Sequence, residues 1–152
     1  MKLKSILFLM LGVLFSLGFV SCSDDDDSET HTDASVLVGG TFTGSICDSK
    51  GVEKATDVIV TISKYEEENT QAIKVKLVSA SLKMETEDIF NVAKAGNDRY
   101  TFGSGSASAP KNTGGVIEGN KVTVYASLNS KYKFNSASAG KLYTINAVKV
   151  SE

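Results

Sequence analysis

From Gly39 onward the side chains alternate in character with a period of two. Phe42, Gly44 and Ile46 alternate with Thr41, Thr43 and Ser45, and Val58, Val60 and Ile62 with Ile59, Thr61 and Ser63. Ile73, Val75 and Leu77 against Lys74 and Lys76 give the clearest division, apolar on one side and charged on the other. A strand directs successive side chains to opposite faces, so each run predicts a strand with one face in a core. Tyr100 with Phe102 and Val122 with Val124 and Ala126 continue the pattern. Residues 142–149 close it more weakly, and residues 130–135 offer a short additional strand through Tyr132 and Phe134. A helix is compatible only with residues 82–88, and there only a short one.

Turn chemistry falls between these runs. Gly119-Asn120 separates two alternating segments, and Gly96-Asn97 does the same before Arg99, each a two-residue hairpin signal. With one Pro in the chain and the strands joined by hairpins, the expected fold is all-β. It is an antiparallel meander of about eight or nine strands whose edges are best hidden by closing into a barrel. Residues 103–115 interrupt the rhythm with almost entirely small side chains. Two readings fit them: a loop, or a barrel wall whose small inward residues leave room for a ligand.

The N-terminal quarter has a different grammar. Lys2 and Lys4 precede a charge-free apolar run, Ser5 to Val20, that falls short of the roughly 20 residues a spanning helix needs. This is the layout of a secretory signal peptide over residues 1–21. Phe19-Val20-Ser21-Cys22 resembles the lipobox of bacterial lipoproteins, which implies lipidation at Cys22 and a membrane partner through that anchor. Ser23-Asp24-Asp25-Asp26-Asp27 resembles the acidic export signal of Bacteroidetes surface lipoproteins, which implies an outer-membrane, cell-surface address. Residues 22–38 then read as an acidic tether with too little apolar surface to offset its ordering entropy. Residues 39–152 form the barrel domain.

Composition limits the chemistry. The 16 basic and 18 acidic side chains lose Lys2 and Lys4 with the signal peptide, leaving 14 against 18. Six of those acids lie in residues 22–35, so the remainder carries 12 acids and 14 bases, close to neutral. Its lysines are scattered, which argues against a nucleic-acid partner. A lipidated Cys22 leaves Cys47 as the one thiol, so no internal disulfide is available. Cys47 lies in a run of apolar and small residues and is expected to be a buried, inert thiol.

The segment Gly39-Gly40-Thr41-Phe42-Thr43-Gly44 resembles the opening of the small calycin-like (lipocalin-like) domains of Bacteroidetes lipoproteins. The Gly-Asn hairpins of residues 89–102 and 116–126 extend the resemblance over roughly residues 39–150. It implies an up-and-down barrel. Phe42 stands where lipocalins carry a Trp in the first strand, and this chain has no Trp.

No catalytic constellation emerges. His31, the one histidine, lies in the tether, and a zinc shell cannot be filled from one Cys and one His. Ser108-Ala109-Pro110-Lys111 matches an S-x-x-K string but lacks a helical setting. Glu66, Glu67 and Glu68 read as a charged turn, and Glu85, Glu87 and Asp88 as a candidate acid–base cluster whose separations the sequence does not give. The expectation is a non-catalytic binding protein without metal or cofactor. Its candidate ligand residues are Phe42, Tyr100 and Phe102, with the stretch 103–109; the sequence leaves the ligand unidentified, a small apolar or glycan-like molecule being one option. The alternative is an envelope assembly domain that docks another protein through the barrel surface.

Overall fold

The computed structural model describes residues 34–66, 71–103, 113–135 and 140–150. A helical turn, α1 (Ala34–Leu37), precedes eight strands: β1 (Gly40–Asp48), β2 (Glu53–Lys64), β3 (Ala72–Ser79) and β4 (Met84–Gly96), then β5 (Arg99–Gly103), β6 (Gly114–Glu118), β7 (Lys121–Leu128) and β8 (Lys141–Lys149). Each strand pairs antiparallel with the next, and β8 returns to β1, so the sheet closes as the expected up-and-down barrel.

The period-two pattern decides which residues enter the barrel. Phe42 and Ile46 from β1, Val58, Val60 and Ile62 from β2, and Val75 and Leu77 from β3 are all buried. On β8 the inward set is Tyr143, Ile145 and Ala147. Phe90 meets Phe102 edge to face, with ring centroids 5.5 Å apart, and meets Phe134 in the same way at 5.7 Å. Such geometry sets a positive ring edge against a negative face. Two glycines make close approaches possible. A Cβ on Gly44 would stand 1.9 Å from the Asn146 carbonyl oxygen of β8, and one on Gly115 would enter the Phe102 ring at 2.4 Å.

Three segments depart from the sequence expectation. Residues 82–88 are not helical: they are a turn followed by the start of β4. Met84 and Thr86 pair with Ser79 and Leu77 and are buried, so tertiary burial at a spacing of two prevails over local helix preference. The turn itself is held by Asp57, whose Oδ1 accepts from the Ser79 and Ser81 hydroxyls at 2.7 and 2.5 Å. Its Oδ2 accepts from the Ser81 amide at 2.8 Å.

Residues 130–135 form a folded loop rather than a strand, joined to the sheet by one bridge from Leu128 to Phe134. The Asn129 side chain accepts from the Lys131 and Lys133 amides and shapes that loop. Tyr132 and Phe134 thereby pack on the core at one end of the barrel.

The folded unit also begins before Gly39. Ala34 and Val38 are part of the core cluster, and α1 packs against β2 and β4 at the other end. Ala34 and Val38 turn apolar surface into the barrel mouth, while Val36 and Leu37 remain exposed.

Candidate binding cleft at the α1 end

The α1 end gathers the start of β1 and β5, the close of β4 and β6, and the hairpin turns between them. The β4–β5 turn places Asp98 at φ 53°, a left-handed conformation that Asp tolerates better than most residues. The β6–β7 turn places Gly119 at φ 56°. The Gly119 amide donates to the Asp98 carbonyl at 3.0 Å, which ties the two turns together. Between them and α1 lies a cleft of about 190 Å³ lined by Leu37, Val38, Asp98, Tyr100, Ile117 and Gly119. Leu37, Val38 and Ile117 supply apolar walls, Tyr100 a half-buried ring, and Asp98 an exposed carboxylate. Arg99, Glu118 and Lys121 follow one another across β5, β6 and β7 at the rim, alternating in sign.

The three residues expected to contact ligand separate here. Tyr100 borders the cleft. Phe42 and Phe102 are core side chains, 1% and 5% exposed. A ring lining a ligand-sized chamber would retain area open to water, and these two retain almost none. The room left by the small residue Gly115 is taken by the Phe102 ring. Residues 104–112, including the Ser108–Lys111 string, lie outside the described residues, as do Cys22, Ser23, Asp24, Asp25, Asp26, Asp27, His31, Glu67 and Glu68.

The other candidate groups do not converge. Cys47 is half-exposed rather than buried, because Ile46 takes the inward position of β1. Glu85 pairs with Lys76 at 2.7 Å and Glu87 with Lys74 at 3.6 Å. The hydrogen bond from Lys76 holds the Glu85 carboxyl below its ordinary range. Asp88 instead accepts from the Ile89 amide. These three carboxylates are exposed and separately engaged, so no acid–base pair faces a common cleft. Among the described residues no cluster of three metal-ligating side chains occurs.

At the opposite end Asp48 accepts from the Lys50 and Val52 amides and pairs with Lys54 at 2.9 Å. The Lys54 hydrogen bond holds the Asp48 carboxyl below its usual value. Burial pushes the Tyr143 phenol up, where its ring lies 5.6 Å from that of Tyr132. These contacts close the barrel end.

Sequence reasoning missed Asp98, Ile117, Leu37 and Val38 as cleft residues. The Val36-Leu37-Val38 triplet was the available signal, since an acidic tether has no use for it. Comparison with protein-family models, with curated proteins and with solved structures yields no match.

Proposed function

We propose that the chain is a non-catalytic, lipid-anchored binding protein of the outer cell surface that takes its ligand at the α1 mouth. The anchor rests on the lipobox-like Phe19–Cys22 and the address on Ser23–Asp27. The observation that carries the binding site is the cleft between α1 and the two hairpin turns, on a barrel whose inward aromatic rings are packed against one another. A volume of this size suits a small group, an apolar moiety or one sugar-sized unit. The Asp98 carboxylate beside the Tyr100 ring favours a ligand that presents hydrogen-bond donors or positive charge.

The test is a pair of probes of similar size and opposite charge, phenethylamine and phenylacetate, titrated into the Cys22→Ser mature chain. Amide resonances of Asp98, Tyr100 and Gly119 are followed by NMR. Selective shifts with the amine, lost in Asp98→Asn, support the reading; equal or absent responses remove it. A second reading, docking of an envelope protein through the barrel wall, is favoured by the uncharged outer face of β1 and β8.

A further inference from the structure

Outward residues differ sharply around the barrel wall. On β3 and β4 they include Lys74, Lys76, Glu85 and Glu87, joined in ion pairs, with Ile89 exposed beside Lys74. The same alternation on β1 turns out Thr41, Thr43, Ser45 and Cys47, and on β8 it turns out Thr144, Asn146 and Val148. None of these is charged, in a chain of which 22% is charged. Register makes the face continuous. Val148 lies opposite Thr43, Thr43 opposite Ile59, and Ile59 opposite Val78. On the other flank Tyr125 lies opposite Thr144, and the Thr123 hydroxyl donates to the Asn146 side-chain oxygen at 3.1 Å. Ile59, Tyr125 and Val148 are 41%, 41% and 46% exposed.

We infer that this face joins two copies of the chain. The inference rests on the docking reading above and narrows its partner. Burying the face costs no unpaired charge, provided that the partner surface is uncharged too, because a stranded charge is expensive to desolvate. The outward residues of β1 and β8 at the middle of the face meet that condition. The charged corners of the face are diagonal: Lys121, opposite Val148 on the β7 side, and Glu53, opposite Cys47 on the β2 side. Between Ile59 and Glu53 on the β2 edge stands Asp57, whose carboxylate is engaged away from β1 by Ser79 and Ser81. A two-fold axis lying in the contact plane across that diagonal brings Lys121 of each copy to Glu53 of the other, an isologous contact with complementary ends.

From β2 to β7 the face is about 14 Å wide, and from the Val148 row to the Thr144 row about 13 Å long. The sheets of the two copies therefore cross near a right angle, one of the two common sheet packings. With side chains the footprint is roughly 400 Å², about half of the ~800 Å² per partner of a standard interface, so the dimer is weak.

Sedimentation equilibrium of the Cys22→Ser mature chain, from ~10 μM to ~1 mM, is the measurement, the upper limit matching the affinity expected of so small a contact. The apparent mass should rise from one copy towards two. Val148→Lys and Tyr125→Glu, both at exposed positions, should each weaken association at least ~10-fold. Their thermal melts should match that of the parent. Lys121→Glu should weaken it, and Lys121→Glu with Glu53→Lys should restore it. A chain that stays monomeric throughout, that ignores Val148→Lys, or whose double reversal fails to restore association overturns the inference. So does a monomer whose Thr43, Tyr125 and Val148 amides shift with a neutral glucan or with another protein, since the face then belongs to that partner. The cleft titration reads Asp98 and Gly119, so failure there and failure here are separate results.

Discussion

Replacing Phe42 with Ala tests whether the barrel is a packed core or a chamber. Phe42 is the third residue of β1, is 1% exposed, and is among the largest fully buried side chains. Removing a buried phenyl group loses its transfer free energy and leaves a hole that neighbours fill only in part. The cost is typically about 3–5 kcal/mol. A domain of this size has a total stability of about 5–15 kcal/mol, so the variant should be close to unfolding. At about 4 °C per kcal/mol the melting temperature should fall by about 12–20 °C. Phe42→Leu keeps most of the volume and should cost less than about 1.5 kcal/mol. Urea titration followed by far-ultraviolet circular dichroism gives both numbers, provided that the slope of free energy on denaturant is unchanged between variants. If Phe42 lined a chamber, its ring would contact ligand or water. Phe42→Ala would then alter binding while stability changed by less than about 1 kcal/mol. A loss that small would refute the packed-core reasoning.

The Asp57 clasp should make stability pH-dependent. Hydrogen bonds from Ser81 and Ser79 hold the Asp57 carboxyl far below its ordinary value of 3.8, so the folded state favours the anion. That contribution is complete above the unfolded pKa and is lost as pH falls from about 3.8 towards the depressed folded value. The stability gap between wild type and Asp57→Asn, measured by urea titration, should therefore shrink on acidification below pH 4; a constant gap would count against the clasp. Gly44→Ala should destabilise the barrel because its Cβ would meet the backbone of Asn146 and Ala147 rather than a movable side chain. A melting temperature within a degree of the parent would contradict that close approach. Cys22→Ser should move the protein from the membrane fraction to the soluble one, and intact mass showing an unmodified Cys22 in the parent would end the anchor proposal. Replacing Asp24–Asp27 with Ala should preserve lipidation yet protect the protein from protease added to whole cells; equal cleavage of both forms would remove the surface address.

Much of the barrel can be read from its alternations because burial and pairing reinforce each other there. Lys74 and Lys76 mark the outer face of β3 by charge alone, and the structure sets them against Glu87 and Glu85. Gly119-Asn120 marks a hairpin because a left-handed residue is needed at that turn. Residues 82–88 are less legible, since Asp57 and Ser81, which shape their turn, are 24 residues apart. The α1 segment was obscured by its acidic surroundings, although Ala34 and Val38 are core residues. The cleft is harder still. It combines a pre-strand residue, a turn carboxylate, and Tyr100 and Ile117, which become neighbours only through the β5–β6 register. Periodicity identified Phe42 and Phe102 as inward, but it does not measure how much space lies between inward side chains. That depends on closure, which brings the Phe90 ring against both Phe102 and Phe134.

A packed interior changes where function can reside. With Phe90 against Phe102 and Phe42 buried, a ligand cannot enter the interior without the large cost of opening a core. Recognition is then left to the rim and the wall, where the sequence is least constrained by folding. A folding requirement alone explains inward apolar residues on every strand, but it says nothing about whether outward residues carry charge. On β3 and β4 they do, in paired form. On β1 and β8 they do not, although the strand geometry is the same and Thr43 and Val148 are both exposed. Exposed Val148 and Tyr125 forgo solubility that charge would provide. The cleft and the uncharged wall are therefore separable features: one is built by α1 and two turns, the other by strand faces that could be recharged without disturbing the core. Variants at Asp98 and at Val148 can accordingly be scored independently, each against its own contact.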